Sequence, residues 1–310
     1  MPLVTAVIPC HNGAAYVGAA IDSVLAQTHQ ELEVVVADDG SADESPEIVA
    51  AYGPPVRLIR VRHGNMHATR NAAIAASHGD YIGLVDQDDA WWPEKIERQL
   101  ARFDAKREIG LCYTATRGVD DDGREIPGSR RRLVVARDQT EALGRLLALN
   151  LMTASSVLLP RAVIDRTGPF DTSFRLTGDW DLWLKVAEEY PIVAVPQVLT
   201  DYRVHGANTS RNKVAMLEES IRVQESALQR IARHPRWSGD PGLRPYLRTA
   251  RHKLASRYSE LGIRLARQGH GARALVCHRR ALELERFSPR IWWRLVRSRL
   301  HRGAVGSEAD

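Results

Sequence analysis

Apolar runs of strand length recur through the first part of the chain, most of them breaking off in a polar cluster. Leu3 to Pro9 is rich in Val and Ile and is followed by Cys10-His11-Asn12-Gly13. Leu32 to Ala37 ends in Asp38-Asp39-Gly40-Ser41, Val56 to Val61 is a third run, and Tyr81 to Val85 leads into Asp86-Gln87-Asp88-Asp89. Stretches of helical period lie between them. Val17, Ile21, Val24 and Leu25 share one face, Ser41-x-x-Glu44 is placed to cap a second helix, and Met66 to Ser77 forms a third. A near-continuous apolar strand is buried on both faces, and strands alternating with helices predict a doubly wound, mostly parallel sheet. Ligands bind such sheets beyond the carboxyl ends of the strands. Clusters after the first, second and fourth runs sit at those ends, so residues distant in sequence are expected to converge.

The pattern becomes less regular afterwards. A helix is expected to start at Ala90-Trp91-Trp92-Pro93 and reach about Arg107, followed by a strand at Ile109–Thr116. Residues 117–137, with Asp120-Asp121-Asp122-Gly123 and Arg130-Arg131-Arg132, are expected to form a hairpin or mobile loop over the site. A helix from Asp138 to Asn150, a strand at Ser155–Leu159, a helix opening at Gly178 and strands near Ile192–Val195 and Val198–Val204 complete this part. From Lys213 on the period is helical, and Tyr258 to Leu284, with Leu261-Gly262, Ala266, Ala274 and Ala281, reads as one helix-turn-helix of tetratricopeptide type.

Charge divides the chain at about the same place. Residues 1–210 carry 21 Lys and Arg against 29 Asp and Glu, and residues 211–310 carry 22 against 9. The expected organisation is an acidic domain over 1–210 and a basic helical extension over 211–310. Trp292-Trp293 with Arg294, Arg297, Arg299 and Arg302 would let that extension rest on an anionic membrane leaflet. Nucleic acid is not expected as a partner, because no recognition motif accompanies the charge. Cys10, Cys112 and Cys277 are in no metal spacing and read as reduced thiols of a cytoplasmic protein. Val4 to Ile8 is too short for a signal peptide, and no run approaches the roughly 18 apolar residues of a membrane span.

The Asp86-Gln87-Asp88-Asp89 cluster carries the strongest chemistry. Carboxylates this close raise one another's pKa unless a cation lies between them. Mg²⁺ or Mn²⁺ suits oxygen ligands and, held by one or two carboxylates, keeps positions open for phosphate oxygens. A metal and nucleotide-diphosphate site is the reading that follows.

Val7-Ile8-Pro9-Cys10-His11-Asn12, Asp38-Asp39-Gly40-Ser41, Ala68-Thr69-Arg70-Asn71, Asp86-Gln87-Asp88-Asp89, Gly178-Asp179-Trp180-Asp181-Leu182-Trp183-Leu184-Lys185 and Tyr202-Arg203-Val204-His205 occur in that order. The ordered set resembles a family 2 inverting glycosyltransferase with the GT-A fold, over about residues 3–210. That resemblance implies transfer of a sugar from a nucleotide-diphosphate sugar donor to a hydroxyl of a glycan or lipid-linked acceptor, with Mg²⁺ or Mn²⁺. It implies Pro9, His11, Asn12, Asp39, Arg70, Asp86 and Asp88 at the donor, with Asp39 reading the base and Arg70 either on the diphosphate or supporting the Asp pair. Asp88, Asp89 and His205 would form the metal shell, Asp89 being otherwise a helix cap. Asp179 would be the catalytic base, Asp181 structural, and Trp180 and Trp183 either sugar platforms or helix-packing residues. The family often has Glu where Gly178 stands and a second glycine where Asn65 stands. A catalytically silent sugar-nucleotide-binding scaffold is the alternative, and intact Asp88 and Asp179 weigh against it. A nucleotidyltransferase is disfavoured because no Lys or Arg follows the first strand.

Overall fold

The computed structural model describes residues 1–105, 108–130, 133–206, 212–286, 289, 292 and 293. The chain divides into two compact units, Met1–Ala142 with Leu151–Asn208, and Leu143–Asn150 with Thr209–Asp310. Residues 143–150, expected with the first unit, thus group with the second.

The first unit is built on an eight-stranded sheet, in the order β3-β2-β1-β4-β7-β6-β8-β5. Its first half holds β1 (Val4–Cys10), β2 (Leu32–Asp38), β3 (Val56–Arg60) and β4 (Tyr81–Leu84). All of their mutual pairings are parallel. The crossovers are helices α1 (Val17–Leu25), α2 (Ser45–Ala50) and α3 (Met66–Ala75). Every residue of β1 is buried, as a central parallel strand covered on both faces requires. Ile8, Ile21, Ile82 and Leu84 are among the fully enclosed side chains, each contributing roughly 1.5–3 kcal/mol by leaving water.

The second half is mixed. It holds β5 (Ala90–Trp91), β6 (Leu111–Val119), β7 (Val157–Pro160) and β8 (Ile192–Arg203), with helices α4 (Lys95–Ala105), α5 (Gln139–Ala148), α6 (Arg161–Thr167) and α7 (Gly178–Glu189). Strand β7 runs antiparallel to both β4 and β6, β6 and β8 are parallel, and β5 is antiparallel to β8. Two expectations fail here. Ala90-Trp91 pairs with Thr200 and Asp201 as a short strand, and α4 begins only at Lys95, past Pro93. The strands expected at Ile192–Val195 and Val198–Val204 are one strand, bent where its register against β6 shifts around Ala115. A bulge bends a strand while its ladder continues on either side. The Ser41 cap is also absent. Helix α2 starts at Ser45, whose N–H and hydroxyl both donate to Asp43.

In the second unit α8 (Lys213–Arg233), α9 (Arg244–Arg267) and α10 (Gly271–Leu284) are helical, as expected. Helices α9 and α10 are joined through Gly269, whose φ of 82° suits the turn. Gly262 packs against the ring of His278, and a Cβ there would lie 2.7 Å from Cε1 of that ring. Gln224 donates to the carbonyls of Leu147 near the end of α5 (2.7 Å) and Ala250 of α9 (2.8 Å), so one buried amide satisfies a terminal carbonyl of α5. Arg257 donates to Ala148 O at 2.9 Å, and burial lowers its pKa to about 10. Trp292 and Trp293 are exposed, whereas Arg131, Arg132, Arg294, Arg297, Arg299, Arg302 and 303–310 lie outside the described residues. Among the described residues no helix is long and apolar enough to cross a membrane.

Candidate active site

The turns after β1, β2 and β4 meet at one edge of the sheet and hold one another. Asp39 N–H donates to Cys10 O at 2.8 Å, which fastens the β2 turn to the end of β1. The Gln87 amide accepts from His11 N–H (2.7 Å) and donates to His11 O (3.2 Å), fastening the β4 turn to the same place. A Cβ on Gly13 would come within 2.5 Å of Gln87 Oε1, so the contact needs glycine there. Asn12 takes φ 48°, a left-handed conformation that its side chain tolerates. Its N–H donates to Ser41 Oγ (2.9 Å) and its Oδ1 accepts from Ala42 N–H (2.8 Å). His11 Nδ1 lies 3.0 Å from Asp39 O. Pro9, expected at the donor, is buried within β1 opposite Ala37, so it shapes the turn and presents no surface to a ligand.

Asp39 lines a cleft of about 620 Å³ with Gly40, Ser41, Arg62, His63 and Gly64. Its carboxylate accepts from the N–H groups of His63 (2.5 Å), Gly64 (3.1 Å) and Asn65 (3.2 Å) and from Thr69 Oγ1 (3.0 Å). Partial burial raises its pKa, but these four donors outweigh that and leave it below the usual carboxylate range. Asn65, where a second glycine was the expected pattern, caps α3 by accepting from His67 and Ala68 N–H.

The acidic cluster splits into groups with different fates. Asp88 Oδ2 lies 2.8 Å from His205 Nε2, and both side chains are partly exposed. Burial first, and then Asp86, raise the Asp88 pKa. Asp86 is ion-paired with Arg70. Arg70 is only 1% exposed, so its expected role on the diphosphate gives way to its other one, support of the Asp pair. Asp89 is 2% exposed and both its oxygens are taken, Oδ2 by the Ser155 hydroxyl at 2.5 Å and Oδ1 by Arg203 N–H at 3.0 Å. These bonds turn Asp89 away from both expected roles, metal ligand and helix cap. It ties the β4 turn to the end of β8. Burial pushes its pKa well up, and Asp88 and Asp86 push it further. Among the described residues no group of three or more His, Cys, Asp or Glu side chains is arranged to hold a metal ion.

The 120–124 turn closes on the same place. Arg203 donates to Asp88 O (3.0 Å), Asp120 O (2.8 Å) and Asp121 O (2.7 Å). Tyr16 donates to Asp121 Oδ1 at 3.0 Å and stacks on His205, with ring centroids 5.0 Å apart. Asp179 lies in the first turn of α7, half-buried, where its Oδ1 accepts from Trp180 N–H at 2.7 Å. Trp180 and Trp183 are buried in the core, which leaves packing and removes the sugar-platform reading. Asp181 is buried and pairs with Lys185 at 2.8 Å.

Nothing in the sequence marks Ser155, His67 or Tyr16 as residues of the site. Ser155 is fully buried, accepts from Asp86 N–H (3.0 Å) while donating to Asp89, and so clamps both ends of the acidic turn. In the sequence it stands only as the first residue of the strand expected at Ser155–Leu159, and it lies instead in a short 3-10 turn, Ala154–Ser156, ahead of β7. His67 accepts from Gly178 N–H at 3.1 Å.

Residues 5–164 match the family model described as "Glycosyl transferase family 2". An uncharacterized glycosyltransferase of Rickettsia prowazekii (strain Madrid E) is 30% identical over 75% of this chain and 73% of its own length. A chondroitin synthase of Escherichia coli is 28% identical over 74% of this chain, which spans 33% of that protein. Two solved structures share the fold. The S. aureus TarS 1-349 complex with UDP-GlcNAc has a TM-score of 0.60 at 17% identity, covering 97% of this chain and 92% of that one. Mannosyltransferase PcManGT from Pyrobaculum calidifontis, in complex with GDP-Man and Mn²⁺, has a TM-score of 0.60 at 19% identity, covering 98% and 86%. A GT-A-like sheet with its acidic turn at the strand ends, matched by the family over more than half of the chain, makes this protein a glycosyltransferase and a member of glycosyl transferase family 2.

Proposed function

We propose that the protein moves a sugar from a nucleotide-diphosphate sugar to a hydroxyl of a glycan or lipid-linked acceptor, with inversion at the anomeric carbon. The observation that carries the reading is the Asp88–His205 pair, 2.8 Å apart, beside the turn that bears Asp39 and its cleft. The donor's base and ribose lie by Asp39, His11, Asn12 and Asp86. An oxygen and an imidazole nitrogen this close are a fitting edge for a hard divalent cation, with Asp88 and His205 as its protein ligands. Mg²⁺ or Mn²⁺ bound there supplies positive charge to the departing diphosphate. Two protein ligands make a weak site, so cation and donor bind cooperatively. The Mn²⁺ and the nucleotide sugars bound to the structural neighbours support this choice of partners.

Asp179 accepts the proton of the acceptor hydroxyl. The new C1–O bond forms on one face of the sugar as the bond from C1 to the phosphate oxygen breaks on the other. The glycan acceptor is supported by the chondroitin synthase relative, and the basic C-terminal unit would meet an anionic leaflet at the cytoplasmic face.

A panel of nucleotide sugars assayed with Mn²⁺ tests the reading. Asp179→Asn is expected to lower kcat by about 10²–10⁴-fold with donor binding retained. Asp88→Ala is expected to abolish Mn²⁺-dependent donor binding. A product of retained anomeric configuration, or full transfer by Asp179→Asn, would overturn it.

A further inference from the structure

Helix α7 begins without a cap of its own. Thr177, its N-cap residue, makes no side-chain cap bond. A helix N-terminus has N–H groups without an internal partner, and a buried one must find an acceptor elsewhere. Gly178 N–H finds it in His67 Nε2, 3.1 Å away and 111 residues earlier in the chain. The fit is close. A Cβ on Gly178 would lie 2.8 Å from His67 Cδ2 and 2.9 Å from Nε2, so the imidazole occupies the space that a side chain at 178 would need. The His67 ring also stacks on Phe170, with centroids 5.4 Å apart and planes 17° apart. Phe170 in turn meets the edge of Trp183 in α7.

The ring is also committed electrically. His67 is fully buried, and Nδ1 lies 3.4 Å from Arg70 Nη1. Burial first, and the Arg70 guanidinium second, push its pKa down to about 3. A neutral imidazole has one acceptor nitrogen, and Gly178 uses it. The other side of Arg70 is ion-paired with Asp86. With Nε2 accepting from Gly178, Nδ1 carries the ring proton, so His67 meets Arg70 at 3.4 Å as a packing neighbour without a hydrogen bond; Asp86, Arg70, His67 and Gly178 are neighbours in turn, and Asp179 follows Gly178.

We propose that His67 is a positioning residue for Asp179: its neutral imidazole serves as the missing N-cap of α7 and sets the carboxylate in register with the acidic turn. This rests on Asp179 being the base. Gly178 is small because His67 fills its place, so the two residues act as a pair.

The test compares transfer by the full chain with Mn²⁺ and UDP-GlcNAc or GDP-mannose as donor. His67→Ala is expected to lower kcat about 10- to 100-fold, with donor KM changed less than about threefold, as for a group that acts on geometry rather than binding. His67→Gln, which keeps a side-chain acceptor, is expected to recover most of kcat. Gly178→Ala is expected to lose activity, and His67→Ala/Gly178→Ala to be no worse than His67→Ala alone, a non-additive pair. If His67→Ala does not fold, Gly178→Ala and His67→Gln carry the comparison. Wild-type kcat in His67→Ala or in Gly178→Ala, beside an inactive Asp179→Asn, overturns the proposal alone. An active Asp179→Asn overturns the base assignment, whatever His67 does. A fall confined to donor KM makes His67 part of the donor site and overturns the proposal as well.

Discussion

The turns after β1, β2 and β4 hold one another through several bonds, many of them to the backbone, whereas α7 and β8 are tied to the site through individual side chains of elements distant in sequence. Asp39 alone receives three main-chain N–H groups and a hydroxyl, and the His11 main chain is held at both its N–H and its carbonyl by Gln87. Across the site, His67 of α3 accepts from Gly178 N–H of α7, and Arg203 of β8 meets the acidic turn with its N–H on Asp89 and its Nε on Asp88 O. A shared load tolerates the loss of one member. A single clamp does not. Substitutions on the second side should therefore cost more than substitutions of equal chemistry on the first.

Arg70 offers the sharpest break, because it serves both sides. Arg70→Met leaves Asp86 without its buried partner, and loss of one member of such a pair costs about 3–5 kcal/mol, read as a fall in the urea midpoint at unchanged slope. Ser155→Ala strands one buried oxygen of Asp89, Oδ2, and the N–H of Asp86. It is expected to cost about 1–3 kcal/mol and to weaken Mn²⁺-dependent donor binding, measured by calorimetry. His67 adds a pH signature. Its pKa falls from 6.5 in the unfolded chain to about 3 in the native one, so between these values the unfolded chain binds the extra proton. Stability is then lost as pH falls through that window, by up to about 1.4 kcal/mol per pH unit, and His67→Gln should flatten that part of the profile. The smallest effect is expected on the redundant side. Ser41→Ala removes the bond to Asn12 N–H yet leaves the Asn12–Ala42 bond, so it should cost less than about 1 kcal/mol and change kcat little. A Ser41→Ala loss as large as that of Ser155→Ala would erase the contrast.

The same contrast explains what could be read from the chain. The edge with shared bonds is built from turns that directly follow apolar runs, and an apolar run ending in Asp or His is visible in one dimension. The single clamps are not. Ser155 acts on residues 66 and 69 positions away, and in sequence it is only a small polar residue before Val157. His67 reads as an ordinary residue of an Ala-rich helix, and its partner Gly178 as a departure from the family pattern. Strand β5 is hidden because Trp91-Trp92-Pro93 resembles a helix entry, and Thr200 and Asp201 on a distant strand make it part of a sheet. Lys95 shows the same limit. It opens an amphipathic helix like a surface lysine, yet it is enclosed over the Trp91 ring at 4.0 Å with its ammonium on Gln99, and burial lowers its pKa to about 7.

The four donors on Asp39 have one further consequence, for how this cleft can diversify. Three of them are main-chain groups of residues 63–65, and a main-chain bond does not depend on the side chain beside it. The carboxylate keeps its direction whatever residues stand at 62 and 63, and both of those side chains are exposed at the cleft wall. The floor of the pocket is thus uncoupled from its walls, so the walls are free to be rewritten for a different nucleotide while the floor stays in place.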